Sequence, residues 1–511
     1  MKYDVNDSSV NAEDETVASE LQEPDKPPSS KELSIAVLIT SIGVGIFIAS
    51  IDGTITNVSL PVIANDLEVE QNIAQWVILA YLLTLIGFTA IAGDLGDRFS
   101  NKIILQIGTA IFVVGSLFCA LSTTLLWLVL ARILQALGAC CGMANGTAII
   151  TRFTTKENRG TALGLNALII AAGITVGPIL GGLLTDKFGW PSIFYINIPL
   201  GIIGLAYVQF AIPKTPPMQE ERREADVIGS VSFMLFLTLL VFSLTVFVDE
   251  NIPNPEIWGG IGIATSIVLF VIFILWEKRT KKPIIDLNMF KNRRFAFGIL
   301  AAVLAYQSLN VIFYQLPFYL REMQNMEIIQ IGLVIIGAPV GMAIVGPFAG
   351  KLSDRIDPRL IASIGMIGIT IDLMLLAIFL KEDTSYWFFI IAALILGMSL
   401  GAFISPNSNS IMSAAPKDKL GVAGGLMNLS TQVGFSIGTA LSTAVFFILR
   451  NTFQRNNGLP AKDPINYIPA MKIMFAIFVG VGILAVFVSY LRGPEEGKKE
   501  LKLKFLNKDE N

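Results

Sequence analysis

Apolar residues run along this chain in blocks of about 20, the length a helix needs to cross a ~30 Å hydrocarbon core. Fourteen such blocks stand out, at 35–60, 73–92, 102–121, 125–150, 160–184, 191–212, 226–247, 257–276, 295–320, 328–350, 359–380, 386–412, 420–448 and 468–491. Short polar connectors separate them. The pattern predicts an all-α polytopic membrane protein. Residues 1–34 are acidic and contain Pro, without the basic start or cleavage pattern of a signal peptide, and are expected to form a disordered cytoplasmic tail. Residues 492–511 are expected to form a second cytoplasmic tail.

Charge orients the blocks. With the N-terminus inside, 29 of the 37 Lys and Arg fall on the inner side and 6 on the outer; Arg132 and Lys472 lie within spans. One missed or invented helix would scramble this alternation from that point onward, so the split supports both orientation and count. The expected location is a cell membrane, with both termini cytoplasmic.

Composition narrows the function. Of 511 residues, 53% are hydrophobic and 15% charged, against about 25% charged in soluble chains. Together with a net charge of -3, this argues against a soluble enzyme and against nucleic-acid binding. The absence of His removes imidazole catalysis and imidazole metal ligation. Cys119, Cys140 and Cys141 lie in apolar runs and make no disulfide framework. No phosphate-binding G-x-x-x-x-G-K-[ST] loop supports ATP-driven work.

The chain repeats itself. GDLGDRFSNKIIL from Gly93 and GKLSDRIDPRLIA from Gly350 share G-x-L-x-D-R at an offset of 257. Gly160, Gly173 and Gly177 have the spacing of Gly421, Gly434 and Gly438 at an offset of 261. Both offsets equal eight spans. The simplest arrangement is 6 + 2 + 6: a six-helix bundle over 35–212, two inserted helices within 213–294, and a second bundle over 295–491. Parallel repeats of this kind build transporters that rock around a site near the midplane.

Several motifs now fall in order. Asp52-Gly53-Thr54-Ile55-Thr56-Asn57-Val58-Ser59-Leu60-Pro61 ends span 1, and Arg132 and Gln135 sit three apart in span 4. Gly173 to Gly182 reads GITVGPILGG, and Trp190 to Gly201 reads WPSIFYINIPLG. Pro283-Ile284-Ile285-Asp286-Leu287 with Phe290 precedes span 9. Together with the Gly93 loop these resemble the major facilitator superfamily, and within it the fourteen-span drug:proton antiporters, over about 45–450. Ser100, Asn101, Ala136 and Thr431 depart from the family's usual residues. The resemblance implies the major facilitator fold and multidrug efflux by proton antiport. It also implies an antiporter role for Gly173, Gly177, Pro178, Gly181 and Gly182. The glycines themselves equally suit a plain packing seam, and Pro178 a bend.

Ionisable groups inside spans are costly, so each is a functional candidate. Asp52 and Arg132 lie at equal depth, roughly 10–12 Å below the outer surface at 1.5 Å per residue. A proton or cationic substrate competing for Asp52 would couple their movements; a fixed ion pair that fastens two helices is the alternative. Asp372 stands alone in span 11, as a second proton site or a neutral packing residue. Asp226 suits a helix start. Polar residues expected along a substrate cavity are Asn57, Gln135, Asn145, Asn166, Gln307 and Asn310, with Tyr314 offering a π-face. Asp97-Arg98 and Asp354-Arg355 are expected either to latch the cytoplasmic side or to form solvated turns.

The expected function is export of amphipathic, often cationic compounds in exchange for protons, not enzymatic turnover. The alternatives are export of one endogenous metabolite, peptide or lipid, and, further off, a membrane enzyme or receptor. No cofactor is expected beyond the proton gradient. Expected partners are lipophilic small molecules, protons and membrane lipids. The carrier is expected to act as a monomer, a form compatible with an accessory efflux partner.

Overall fold

A computed structural model describes residues 35–154, 156–213, 226–249, 252–280, 283, 285–353, 356–416 and 420–493. Among them there are helices and no strand. Fourteen long helical segments follow one another: α1 Ile35–Asp66, α2 Gln71–Arg98, α3 Asn101–Ala120, α4 Leu125–Phe153, α5 Lys156–Phe188, α6 Ser192–Ala211 and α7 Val227–Phe247. Then come α8 Pro255–Glu277, α9 Arg293–Glu322, α10 Ile328–Ser353, α11 Pro358–Phe379, α12 Tyr386–Ala414, α13 Leu420–Asn457 and α14 Pro464–Leu491. Among the described residues, thirteen are long and apolar enough to cross a membrane. The remaining predicted span, 160–184, lies within α5.

Local sequence explains the boundaries. Ser100, Thr124, Asp226, Asn292, Asp357 and Asp463 each cap a helix by accepting a hydrogen bond from a backbone N–H two or three residues on. Glu327 and Gln330 form a capping box at the start of α10. Tight connections on the face where α1 ends use left-handed residues, Glu68 at φ 53° and Gly189 at φ 77°. We call this the far face and its opposite the near face. Several helices outrun their apolar blocks: α1 continues past 60 to Asp66, and α13 past 448 to Asn457. Once nucleated, a helix needs no apolar side chains beyond the hydrocarbon.

In lipid, helix association depends on close packing of small residues. Gly108 of α3 and Gly138 of α4 do this reciprocally: a Cβ on Gly108 would fall 2.9 Å from the Gly138 carbonyl. One apolar core joins α1–α6 and another joins α9–α14. The cores interlock, since Tyr314 and Phe318 of α9 pack into the first and Val58 of α1 into the second. α7 packs against α2 and α13 and so touches both groups, while α8 packs on α7 and exposes Ile257, Trp258, Ile261 and Val268.

Candidate functional site

Asp52 and Arg132 meet. Arg132 Nη1 donates to Asp52 Oδ2 at 2.6 Å, and both side chains are buried. Three more helices complete the cluster. Gln135 Nε2 donates to Asp52 Oδ1 at 2.9 Å and to Ser116 Oγ of α3 at 2.8 Å, and its Oε1 accepts from Arg132 Nη1 at 2.6 Å. Asn197 Nδ2 of α6 donates to Asp52 Oδ1 at 3.1 Å. Arg132 Nε donates to the Val77 carbonyl of α2 at 3.1 Å, and the guanidinium lies over the Tyr81 ring, 4.3 Å from its centroid. The carboxylate thus accepts three bonds and faces a cation, all inside the first helix group. Gln135 belongs to this network, not to a cavity wall.

Sequence reasoning missed Asn197 and Ser116; it offered Tyr81 as a π-face for a cationic substrate, and here that ring lies under Arg132. Asn197 sits inside the motif WPSIFYINIPLG, whose other polar end is also engaged: Trp190 Nε1 donates to Asp66 Oδ2 at 2.7 Å. Ser116 carries no sequence signal, since it lies in no motif.

The Gly-Pro run of α5 packs on two helices. A Cβ on Gly173 would meet Ser50 and the Phe47 carbonyl of α1; one on Gly177 would meet Thr54; one on Gly181 would lie 2.9 Å from the Ile55 carbonyl. The next residue turns elsewhere. A Cβ on Gly182 would lie 2.9 Å from the Ile328 carbonyl of α10, and Gly332 of α10 rests on the Pro178 carbonyl. So one run seals α5 to its own group and, at the far face, to the other.

The partner run behaves alike. Gly434 of α13 rests on the Val303 carbonyl and the Tyr306 Cβ of α9, and Gly438 on Gln307 and Asn310. Residues 47, 50, 51 and 54 of α1 thus correspond to 303, 306, 307 and 310 of α9. Asn310 also donates from Nδ2 to the Phe435 carbonyl and to Thr439 Oγ1, and Gln307 is buried beside it. Both therefore hold α9 against α13.

Polar contacts join the groups at the far face. Gln71 Nε2 donates to Gln315 Oε1 at 2.7 Å, Tyr314 Oη donates to the Gln71 carbonyl at 2.8 Å, and Arg450 stands 3.8 Å from Glu70. Gln71 and Arg450 were not foreseen, since they lie just outside the apolar blocks 73–92 and 420–448; Gln315, a polar residue inside a span, bonds across the seam. Asn57, near this seam, is buried and its Oδ1 has no hydrogen-bond partner among the described residues. Asn166 is half-buried on α5.

The near face differs from expectation. Arg98 pairs with Asp94 one turn back, at 2.7 Å, and Asp97 accepts from Asn101 Nδ2 at 3.3 Å. Both partnerships lie within α2 and its own connection to α3. Asp354 and Arg355 lie outside the described residues. Asn145 is not a cavity residue: it accepts from Asn101 Nδ2 and donates to the Ala92 carbonyl, fastening α4 to α2. Arg492, assigned by sequence to the tail, is buried. It donates to the Ser489 carbonyl, Ser489 Oγ and Asn407 Oδ1, so it locks the end of α14 to α12. Asp372 is fully buried in α11, and neither carboxyl oxygen has a hydrogen-bond partner among the described residues.

Known proteins share this organisation. The family model described as Major Facilitator Superfamily matches residues 42–439 and 299–506. The chain belongs to the major facilitator superfamily. Among superfamily relatives, it is 33% identical over 410 residues to the riboflavin transporter RibZ of Clostridioides difficile (strain 630), covering 80% of this chain and 88% of the relative. The methyl viologen resistance protein SmvA of Salmonella typhimurium (strain LT2) is 28% identical, with 81% and 82% covered. The multidrug resistance protein Stp of Mycobacterium tuberculosis (strain H37Rv) is 27% identical, with 80% and 75% covered. Among solved structures, a bacterial homologue of the human lysosomal transporter Spinster, inward-facing and occupied, superposes with TM-score 0.63 at 16% identity. It covers 91% of this chain and 97% of that one, and shares its fold.

Proposed function

We propose that this carrier exports amphipathic, often cationic compounds in exchange for protons, by alternating access in a cell membrane with both termini cytoplasmic. The proposed moving parts are two related six-helix bundles, α1–α6 and α9–α14, with α7 and α8 as an inserted pair. The observation that carries the reading is the matched packing of Gly173 and Gly177 on α1 and of Gly434 and Gly438 on α9. Two equivalent rigid units that meet at a small-residue seam can rock about it. With the far face outward, the described state is closed outside by Gln71, Gln315 and the Gly182–Ile328 contact. Relatives named for resistance to methyl viologen and to multiple drugs support export of foreign compounds. Protons returning inward supply the energy, about 2.3 kcal/mol per elementary charge per 100 mV.

The direct test is ethidium transport into everted vesicles energised to be acidic inside. Accumulation that a protonophore abolishes supports the reading. Its absence, with the protein shown inserted and folded, overturns it. A second reading, a carrier dedicated to one metabolite, is favoured by the relative named as a riboflavin transporter. Riboflavin in place of ethidium, in the same vesicles, separates the two.

A further inference from the structure

The two bundles hold buried charge in opposite ways. In the first, Asp52 accepts three hydrogen bonds, one from a guanidinium that also donates to Gln135 and to the Val77 carbonyl. Releasing that carboxylate would strand Arg132 without a counter-charge. In the second bundle Asp372 is equally buried, yet both its oxygens are without a partner among the described residues.

The repeat makes the contrast positional. Gly108 of α3 packs on α4 as Gly365 of α11 packs on α12, at the 257-residue offset of the Gly93 and Gly350 loops. The same offset sets Asp372 at the place of Gly115. There a Cβ would fall 2.6 Å from the Gln135 backbone, so the first bundle has no room for a side chain. By the α1–α9 correspondence, Asp52 has Ser308 as its counterpart, a buried hydroxyl without a hydrogen-bond partner. The acid has moved to another helix, and its cation has gone.

Among the described residues no charge on the neighbouring helices stands level with Asp372, and Arg359 of α11 itself lies in that helix's first turn. α12 contains no Asp, Glu, Lys or Arg. The charged residues of α9 (Arg293, Arg294, Arg321 and Glu322) lie at its ends, as does Lys351 of α10. α14 carries Lys472. The Ser363–Ser489 and Thr370–Gly482 contacts set the register of α11 on α14, and they put Asp372 level with Gly480. Lys472 is then eight residues, roughly 12 Å, nearer the far face. Tyr467, on the same helix, is further still.

From this geometry we propose that Asp372 is the residue that carries the coupling proton, while Asp52 keeps its ion network throughout the cycle. A proton from far-side water binds the Asp372 carboxyl in the outward-open state. It crosses as a neutral acid, buried as it is here, and leaves to near-side water. Binding and release move one proton and break no other bond. The inference rests on the proton exchange proposed above.

Two measurements test it on the full-length protein. Infrared difference spectra across a pH titration in detergent micelles read the carbonyl stretch of a buried protonated acid without needing a substrate. The expected band is present in the wild type and lost in Asp372→Asn. No band, or a band that survives in Asp372→Asn, overturns the assignment. In proteoliposomes with an internal pH dye, ethidium counterflow should persist in Asp372→Asn, while ethidium-driven proton flux falls at least 10-fold. Asp372→Glu should restore flux with a displaced pH profile. Proton flux within 2-fold of wild type in Asp372→Asn overturns the proposal and leaves proton exchange standing. A wild type that moves ethidium without protons overturns the exchange itself. Should Asp372→Asn fold poorly, Asp372→Ser, which also lacks the titrating group, is read in its place.

Discussion

Arg132 and Asp52 form a 2.6 Å ion pair with neither side chain open to solvent, and Gln135 bonds to both. Removing one partner leaves the other charge buried. Asp52→Leu and Arg132→Leu should each destabilise the protein by about 3–5 kcal/mol. The double variant should lose less than the sum, because it strands no charge. Thermal melts in detergent, read as a double-mutant cycle, check this. Additive losses would show that the two side chains act separately.

The far-face seam should be lockable. Gln71 and Gln315 side chains touch at 2.7 Å across the two bundles, and the native Cys119 and Cys140 are buried. Gln71→Cys/Gln315→Cys should therefore be bridged by a short bis-methanethiosulfonate crosslinker, which makes up for the two shortened side chains. Transport should stop and return with reductant. The measurement is the electrophoretic shift together with transport in the same vesicles. Crosslinking that leaves transport unaffected would mean that this seam does not open.

Glycine at 182 is set by contact, not by turn geometry. A Cβ there would press on the backbone of Ile328 and Ile329 at 2.9 Å. Gly182→Val should hold α5 off α10 and shift the population away from the state closed at the far face. Labelling of a cysteine placed at Asn57 from the far side should then rise several-fold. By contrast, Gly424→Ala has open space around it and should change little.

The spans and the pairing of Asp52 with Arg132 were legible because the hydrocarbon core imposes its thickness on sequence and makes buried charge rare. Equal depth along two helices was enough to suggest their contact. The cavity residues were harder to assign. Asn145, Gln135 and Asn310 are polar in apolar spans, but a polar side chain in a membrane is as useful for tying helices together as for binding substrate. Which use applies depends on the rotation of each helix about its axis. Nearly uniform apolarity around α1 and α4 hides that rotation. Arg492 was misplaced for a related reason: a cation just past a span reads as a solvated tail until the neighbouring Asn407 and Ser489 are in view.

Arg492 anchors the last helix through both chemistry and position. Its guanidinium donates to the Ser489 carbonyl, Ser489 Oγ and Asn407 Oδ1, and Asn407 Nδ2 passes the connection on to the Gly298 carbonyl of α9. Arg492→Ala removes all three donors and leaves Asn407 Oδ1 buried without its partner. Hydrogen bonds to a charged group contribute about 1.5–3 kcal/mol each at most, and the orphaned acceptor costs about 1–3 kcal/mol. Several of these bonds are local to one turn of α14, so the expected loss is about 2–3 kcal/mol, less than the sum. Arg492→Lys should recover only part, because an ammonium lacks the planar fork that reaches Asn407 and Ser489 together. Melting temperatures of the three proteins in one detergent should fall in the order wild type, Arg492→Lys, Arg492→Ala. Equal values would place Arg492 with the solvated tail, as its sequence position suggests.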